Sequence, residues 1–377
     1  MGTVYLDHAA TSFPKAPGVA QHVAHALSSP TGNPGRSADT PSVEASRLMH
    51  RVRSLAAEFF NVDESKHVIF TSGATEGLNC ALHGLLEPSG TVVTTPIEHN
   101  AVARPLRTIR AHITTVQADD QGIPDLDAVY TILKRRRPEL FIFNAESNVT
   151  GAISPVQELI EVSEALEVPY LIDGSQLTGD QDIDLSSMRH GMFCCSAHKG
   201  LLGPTGVGFM IVSEQLRPRS LIQGGTGSDS GADLQPSFLP DSYESGTPNI
   251  HGIAGMEPAF RYLLDNNMEI YQAKSSISAY MFSRLHSLQD DVAIQSPLNN
   301  RGSIVSFSPK HMDMAEVSYR LTQQKIIHRM GMHCAPWAHN HIGTYTQGGT
   351  IRFSVGHTTT KKEIDVAIEI LKEIIHG

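Results

Sequence analysis

Apolar residues fall along this chain in two alternating rhythms. Short apolar runs at His67–Thr71, Val92–Thr95, Ile113–Val116, Leu140–Asn144, Tyr170–Asp173, Met192–Ser196 and Val207–Val212 have the length of buried strands. Helical periodicity fills the gaps between them. Thr40–Phe60 carries Val43, Leu48, Val52, Leu55 and Phe59 near helical spacing, with Thr40 as the predicted N-cap and Pro41 at the tolerated first position. Thr75–Leu86, Leu126–Arg137 and Pro155–Glu167 repeat the pattern, and Ser154 with Gln157 three residues on predicts a capping box for the last of them. Strands that alternate with helices predict an α/β fold built on a mostly parallel sheet covered by helices. From about Gly255 the rhythm changes to one long helix, Gly255–Asp265 and onward to Gln289. The short strands Ile304–Phe307 and Thr350–Val355 follow, and then a final helix that Thr360 and Glu363 cap, with Ile364, Ile368, Leu371 and Ile375 on one face. This second pattern predicts a smaller α+β domain closing over the first.

At 377 residues the chain has room for about two to three domains and a continuous core without covalent staples. Its 29 basic and 39 acidic residues give a net charge of -10, a field that repels nucleic acid and anionic membranes. The basic run Lys134–Arg137 closes a predicted helix, where it caps the carboxyl end. The first residues lack a basic region followed by an apolar core, and no stretch of about 20 apolar residues occurs, so a cytoplasmic protein is expected. Four cysteines, Cys80, Cys194, Cys195 and Cys334, are too few for a disulfide framework in a chain of this size. Cys80 lies on an apolar helix and Cys194 and Cys195 on a strand, so these three read as packing residues.

In a parallel sheet, ligands collect beyond the carboxyl ends of the strands, and chemistry-bearing residues concentrate there. Thr71-Ser72-Gly73-Ala74-Thr75 links a strand to a helix, where backbone N–H groups and hydroxyls suit a phosphate as well as an ordinary turn. Asp173 ends an apolar strand and needs a partner, either a structural one or a cationic ligand atom. Ser196-Ala197-His198-Lys199 follows another strand, and its lysine can serve as an ion-pair donor, a phosphate contact or a Schiff-base nucleophile. Together a phosphate cradle, an acid for a ring nitrogen and a lysine amine make up the minimum pyridoxal phosphate site. A second concentration runs from Arg329 to His341 around Cys334. Three readings stand there: a structural cysteine, a metal site of Cys334, His339 and His341, and a nucleophilic thiolate.

The strings Thr71-Ser72-Gly73-Ala74-Thr75-Glu76, Glu98-His99-Asn100, Ser147-Asn148-Val149-Thr150-Gly151, Asp173-Gly174-Ser175-Gln176, Ser196-Ala197-His198-Lys199, Gly246-Thr247-Pro248 and Gly331-Met332-His333-Cys334-Ala335 resemble the class V aminotransferase family. Within it they are similar to cysteine desulfurases and selenocysteine lyases, over nearly the whole chain from Tyr5-Leu6-Asp7-His8-Ala9-Ala10-Thr11 to the last helix. The resemblance implies a fold-type I pyridoxal phosphate-dependent transferase with a seven-stranded, mostly parallel sheet. Residues 16–255 would form the large cofactor domain, and 1–15 with 256–377 the small one. It further implies that Lys199 carries pyridoxal 5'-phosphate as a Schiff base and moves protons at the substrate alpha carbon. Asp173 pairs with the ring nitrogen, His99 stacks on the ring and Gln176 bonds the phenolic oxygen. Gly73, Ala74, Thr75, Ser196 and His198 hold the phosphate, and Thr247 reaches it across a homodimer interface. Asn148 and Arg352 grip the substrate carboxylate, with Asn33 beside them. No structural metal is implied. The implied reaction converts L-cysteine to L-alanine and leaves a persulfide on Cys334 for a sulfur-acceptor protein or a reductant.

Three segments depart from the family pattern: Asn33-Pro34-Gly35-Arg36-Ser37, which lacks the usual histidine, the histidine-rich Trp337–His341, and Phe353–Thr358. They leave selenocysteine, cystine and other beta-substituted amino acids open as substrates. A carbon–sulfur or selenocysteine lyase without a carrier persulfide is the alternative within the fold. A non-catalytic metal- or sulfur-binding scaffold is the alternative outside it.

Overall fold

The computed structural model describes residues 2–35, 38–229 and 231–377. Arg36 and Ser37 of the Asn33–Ser37 segment lie outside them. Among the described residues the large sheet has seven strands, in the order Val68–Thr71, Gly208–Val212, Gly191–Ser196, Tyr170–Asp173, Leu140–Asn144, Thr91–Thr94 and His112–Thr115. Six run in one direction, and only Gly208–Val212 is reversed, pairing antiparallel with both of its neighbours. The central strands read as unbroken apolar runs because helices cover both faces and leave no solvent side to encode. Leu140, Phe141, Ile142 and Phe143 are fully buried, as are Met192, Phe193, Cys194 and Cys195. The three cysteines read as packing residues are buried, and burial raises each thiol's pKa, that of Cys80 to about 12.

A second sheet is antiparallel, ordered Arg329–Gly331, Thr350–Ser354, Ile304–Pro309 and Val292–Ile294. The amino-terminal strand Val4–Tyr5 joins this end of the molecule by pairing in parallel with Ile326–Ile327. Leu6 then accepts the Ser354 N–H at 2.8 Å. Val4 and Leu6 thus share an apolar core with Ile277, Phe353 and Ile368, while a separate core lies beneath the large sheet. The helix Ile250–His286 crosses between them, with Met256, Phe260 and Leu263 in the first core and Ile277, Met281 and Leu285 in the second.

Local signals resolve differently at several ends. The cap of helix Thr40–Phe59 is Asp39, not Thr40, because the Asp39 carboxylate accepts the Ser42 N–H at 2.9 Å. Ser154 makes no capping box. Its hydroxyl donates instead to the Asn144 carbonyl at 2.7 Å, and the helix Val156–Ala165 starts without a side-chain cap. The predicted Thr360–Glu363 box is present in full. The helix Asn100–Ile109 was not expected from the pattern. It contains Pro105 and is short, yet it buries Ala101, Val102, Leu106 and Ile109 against the sheet.

The reversed strand brings its first residue to the edge where the other strands end, and the approach there is close. A methyl group on Gly208 would stand 2.5 Å from Gly73 Cα and 2.8 Å from the Cys195 carbonyl oxygen, both backbone atoms that cannot rotate away. Gly208→Ala is therefore expected to destabilise the fold by about 1–3 kcal/mol through overpacking and to push the Gly73–Thr75 turn out of place. Denaturant unfolding and the amount of cofactor retained through gel filtration measure the two effects.

Candidate active site

The carboxyl ends of five strands supply one cavity. Ala74 and Thr75 follow the first strand, His99 the strand Thr91–Thr94, Asn144 and Asn148 the strand Leu140–Asn144, Asp173 and Gln176 the strand Tyr170–Asp173, and Ser196, His198 and Lys199 the strand Gly191–Ser196. Asp173, only 2% exposed, has its Oδ1 held by the backbone N–H of Ser175 at 3.0 Å and by the Ser175 hydroxyl. Lys199 lines the same cavity. Burial lowers its amine to about 8; Asp173 opposes the shift and Arg352 adds to it. A lysine so placed carries a far larger neutral, nucleophilic fraction near neutral pH than an ordinary lysine does.

His99 is the N-cap of helix Asn100–Ile109, and its Nδ1 accepts the Ala101 N–H at 3.0 Å. Because that amide only donates, the ring proton resides on Nε2 and the imidazole is neutral. Burial lowers the pKa of His99 in the same sense, against the pull of Asp173.

The Gly73–Thr75 turn opens helix Ala74–Leu85 without a side-chain cap, and the Ala74 N–H donates to Ser196 Oγ at 2.9 Å. His198 Nδ1 is buried without a partner among the described residues, and burial, with the Lys199 and Lys15 charges, lowers this ring to about 4. A helix amino terminus, a serine hydroxyl and an orphaned imidazole nitrogen fit a phosphate. Asp173 and Lys199 fit a pyridine ring nitrogen and an aldehyde carbon, so the residues present suit pyridoxal phosphate.

The amino-terminal segment covers this edge. The His198 carbonyl oxygen receives Lys15 Nζ at 2.8 Å, the Ser12 N–H at 2.9 Å, Thr11 Oγ1 at 3.0 Å and Ser12 Oγ at 3.1 Å. Gln176 Nε2 donates to the Ala9 carbonyl at 3.0 Å. Lys15 and Asp7 were not singled out from sequence as site residues. Asp7 lies within the amino-terminal string that carries the resemblance, and its carboxylate meets Arg352 Nη2 at 3.1 Å and Arg329 Nη2 at 3.4 Å.

Arg352, 2% exposed, also donates from Nη1 to the Asn148 carbonyl at 2.8 Å. Its Nε and the Asn148 Oδ1 are buried without partners among the described residues. The Asn148 side-chain amide donates to the His333 carbonyl, and the Cys334 carbonyl accepts the Asn100 N–H at 2.8 Å. The segment before the cysteine is therefore tied to Asn148, which lines the cavity, and to the residue that follows His99. The Cys334 side chain is exposed, and both His333 and Cys334 take left-handed backbone angles, φ 46 and 58. Each such non-glycine residue stores about 1–3 kcal/mol and persists only where neighbours fix it.

The remaining predicted residues lie elsewhere. His339 is fully buried and its Nδ1 meets Thr344 Oγ1 at 2.7 Å, while the exposed His341 bonds the Asp119 carbonyl. No group of three metal-ligating side chains occurs among the described residues. Asn33 Nδ2 lies 3.5 Å from Thr247 Oγ1, and Thr247 borders a separate groove of about 720 Å³ beside Phe70, Ser72 and Glu76. Within one chain these two residues do not line the Lys199 cavity.

Residues 4–366 match the family profile described as aminotransferase class-V. The chain belongs to the class V aminotransferase family. Among curated relatives it is 29% identical to a probable cysteine desulfurase of Methanothermobacter thermautotrophicus, over 98% of this chain and 94% of the relative. It is 27% identical to a cysteine desulfurase of Haloferax volcanii, over 98% and 88%. Among solved structures it superposes on the apo cysteine desulfurase of Thermococcus onnurineus with a TM-score of 0.91 and 25% identity, covering 100% and 95% of the two chains. A NifS-like protein of Rickettsia africae gives a TM-score of 0.85 at 22% identity over the whole of both chains, a likeness of fold alone. The fold is thus that of the fold-type I pyridoxal phosphate-dependent transferases, and in sequence the chain is similar to cysteine desulfurases.

The depressed Lys199 amine has a measurable consequence. Only the neutral amine captures an aldehyde, so the rate at which the apo chain takes up pyridoxal phosphate should rise about tenfold per pH unit at low pH. It should level off above about 8. Stopped-flow absorbance of the lysine-bound cofactor checks this, with Lys199→Ala as the blank.

Proposed function

We propose that this chain is a pyridoxal phosphate-dependent cysteine desulfurase that converts L-cysteine to L-alanine and carries the sulfur as a persulfide on Cys334. The observation that carries the reading is the direct anchoring of the Cys334 segment to the Lys199 cavity, through Asn148 on the His333 carbonyl and Asn100 on the Cys334 carbonyl. The relatives' names support it from outside.

Asp173, Lys199 and the neutral His99 ring would hold the cofactor, with the Gly73–Thr75 turn, Ser196 and His198 at its phosphate. When bound, it supplies the electron sink that loosens the bonds at the substrate alpha and beta carbons. The orphaned Arg352 Nε–H has no acceptor among the described residues, so it is free to take a substrate carboxylate oxygen. Lys199, once its amine is released, takes and returns the alpha proton. The Cys334 thiolate attacks the substrate sulfur: the new S–S bond forms as the Cβ–S bond breaks, and the electron pair left on carbon takes a proton. The thiol hydrogen of Cys334 thereby balances the hydrogen gained by the alanine methyl group. A second thiol or a reductant removes the sulfur. In this reading two chains form a homodimer in which Thr247 and Asn33 of one complete the phosphate and substrate sides of the other, and the large domain spans residues 16–255.

Anaerobic incubation with L-cysteine tests the proposal by quantifying alanine and mapping added sulfur by peptide mass. One sulfur on Cys334 with an equal amount of alanine is expected. Cys334→Ser should lower turnover by at least about 10³-fold, the scale on which lost nucleophiles are felt, while keeping the cofactor. Pyruvate and free sulfide at wild-type rates in Cys334→Ser would replace this reading with a carbon–sulfur lyase.

A further inference from the structure

Asn148 stands between the two halves of the proposed reaction. Its backbone carbonyl receives Arg352 Nη1 at 2.8 Å, and its side-chain amide holds the His333 carbonyl. Its own Oδ1 and the Arg352 Nε are both buried without partners among the described residues, and the Nε–H is a donor that an arriving carboxylate would satisfy. The amide that a carboxylate arriving there would attract is the one that now restrains the residue before Cys334. A carboxylate is the stronger acceptor, because a charged acceptor forms a hydrogen bond about twice as strong as a neutral carbonyl does.

The restrained segment has something to release. His333 and Cys334 are consecutive left-handed residues with side chains, held by few fixed points. These are Asn148 on the His333 carbonyl, Asn100 on the Cys334 carbonyl, the Ala335 N–H on the Met332 carbonyl at 2.8 Å, and the His333 ring on Thr350 Oγ1 at 3.0 Å. Loss of one anchor allows the pair to relax toward ordinary backbone angles.

We propose that Asn148 is a positioning residue that couples substrate recognition to the thiol: a bound amino-acid carboxylate draws the Asn148 amide off the His333 carbonyl and frees Cys334 to approach the substrate. The inference rests on the desulfurase reading for its purpose, but its test does not require turnover.

The holoenzyme is treated with iodoacetamide, and carboxamidomethylation of Cys334 is followed by peptide mass, with and without saturating L-alanine, which brings the carboxylate without sulfur. Buried Cys80, Cys194 and Cys195 serve as internal references. Alanine should accelerate Cys334 labelling by about 5-fold or more, the lower end of ordinary coupling between sites. Asn148→Ala should label fast without alanine and be unmoved by it. Thr350→Val, which removes the ring anchor and leaves Asn148 in place, should start faster than wild type and still respond to alanine. Protection or no change by alanine in the wild type, where the cofactor spectrum reports that alanine has bound, overturns the proposal. So does slow labelling in a folded Asn148→Ala. Gated labelling in a protein that forms no persulfide from cysteine would leave the coupling standing and remove the desulfurase reading instead.

Discussion

A single carbonyl oxygen organises the reactive edge of this molecule. Four donors from the amino-terminal segment, supplied by Thr11, Ser12 and Lys15, converge on the oxygen of His198, the residue before the lysine at the heart of the cavity. A peptide so loaded cannot rotate, so the direction in which Lys199 leaves the backbone is set by residues nearly two hundred positions earlier. The same segment continues to Asp7, which pairs with Arg352, and it begins in a strand paired with Ile326–Ile327. The start of the chain is the clasp that joins the large sheet to the carboxyl-terminal elements.

Around that clasp the electrostatics follow from exclusion of water. Lys199 loses part of its basicity, and two carboxyl groups behind the cavity are held neutral. Glu98 is raised by burial to about 8, with Thr95 and the Asn144 N–H on one oxygen, and Glu146 is raised well above its usual range. Neither acid lines the cavity, and Asp173 is the acidic residue among those that do. That concentrates its field on Lys199 and on whatever ring nitrogen comes to rest against it, a sharper arrangement than a cluster of acids sharing protons would give.

Much of this was legible in the residues. The seven strands and the turns at their ends follow from apolar runs broken by Gly73, Asp173 and Ser196, because a buried parallel sheet encodes itself as uninterrupted apolar segments. The reversal of Gly208–Val212 was not legible, since an apolar run of five residues reads alike in either direction. The helix after His99 was hidden by Pro105 and by a side chain that serves at once as a helix cap and as a wall of the cavity. Asp39 displaced Thr40 as a cap because two neighbouring residues with equal aptitude are decided by backbone angle, which only the folded chain fixes. Long-range contacts such as Lys15 on His198 and Asn148 on His333 leave no periodic trace, and only the strings of resemblance directed attention to those segments.

The paired left-handed residues at His333 and Cys334 set a limit on how this protein can be made sturdier. Glycine at His333 would adopt the required angle without steric cost. Yet glycine brings no ring to meet Thr350, and its freer backbone would let the thiol wander among many directions. Durability and aim are therefore opposed at this one turn: a variant that survives longer at high temperature by softening it would hold its sulfur-bearing side chain less well.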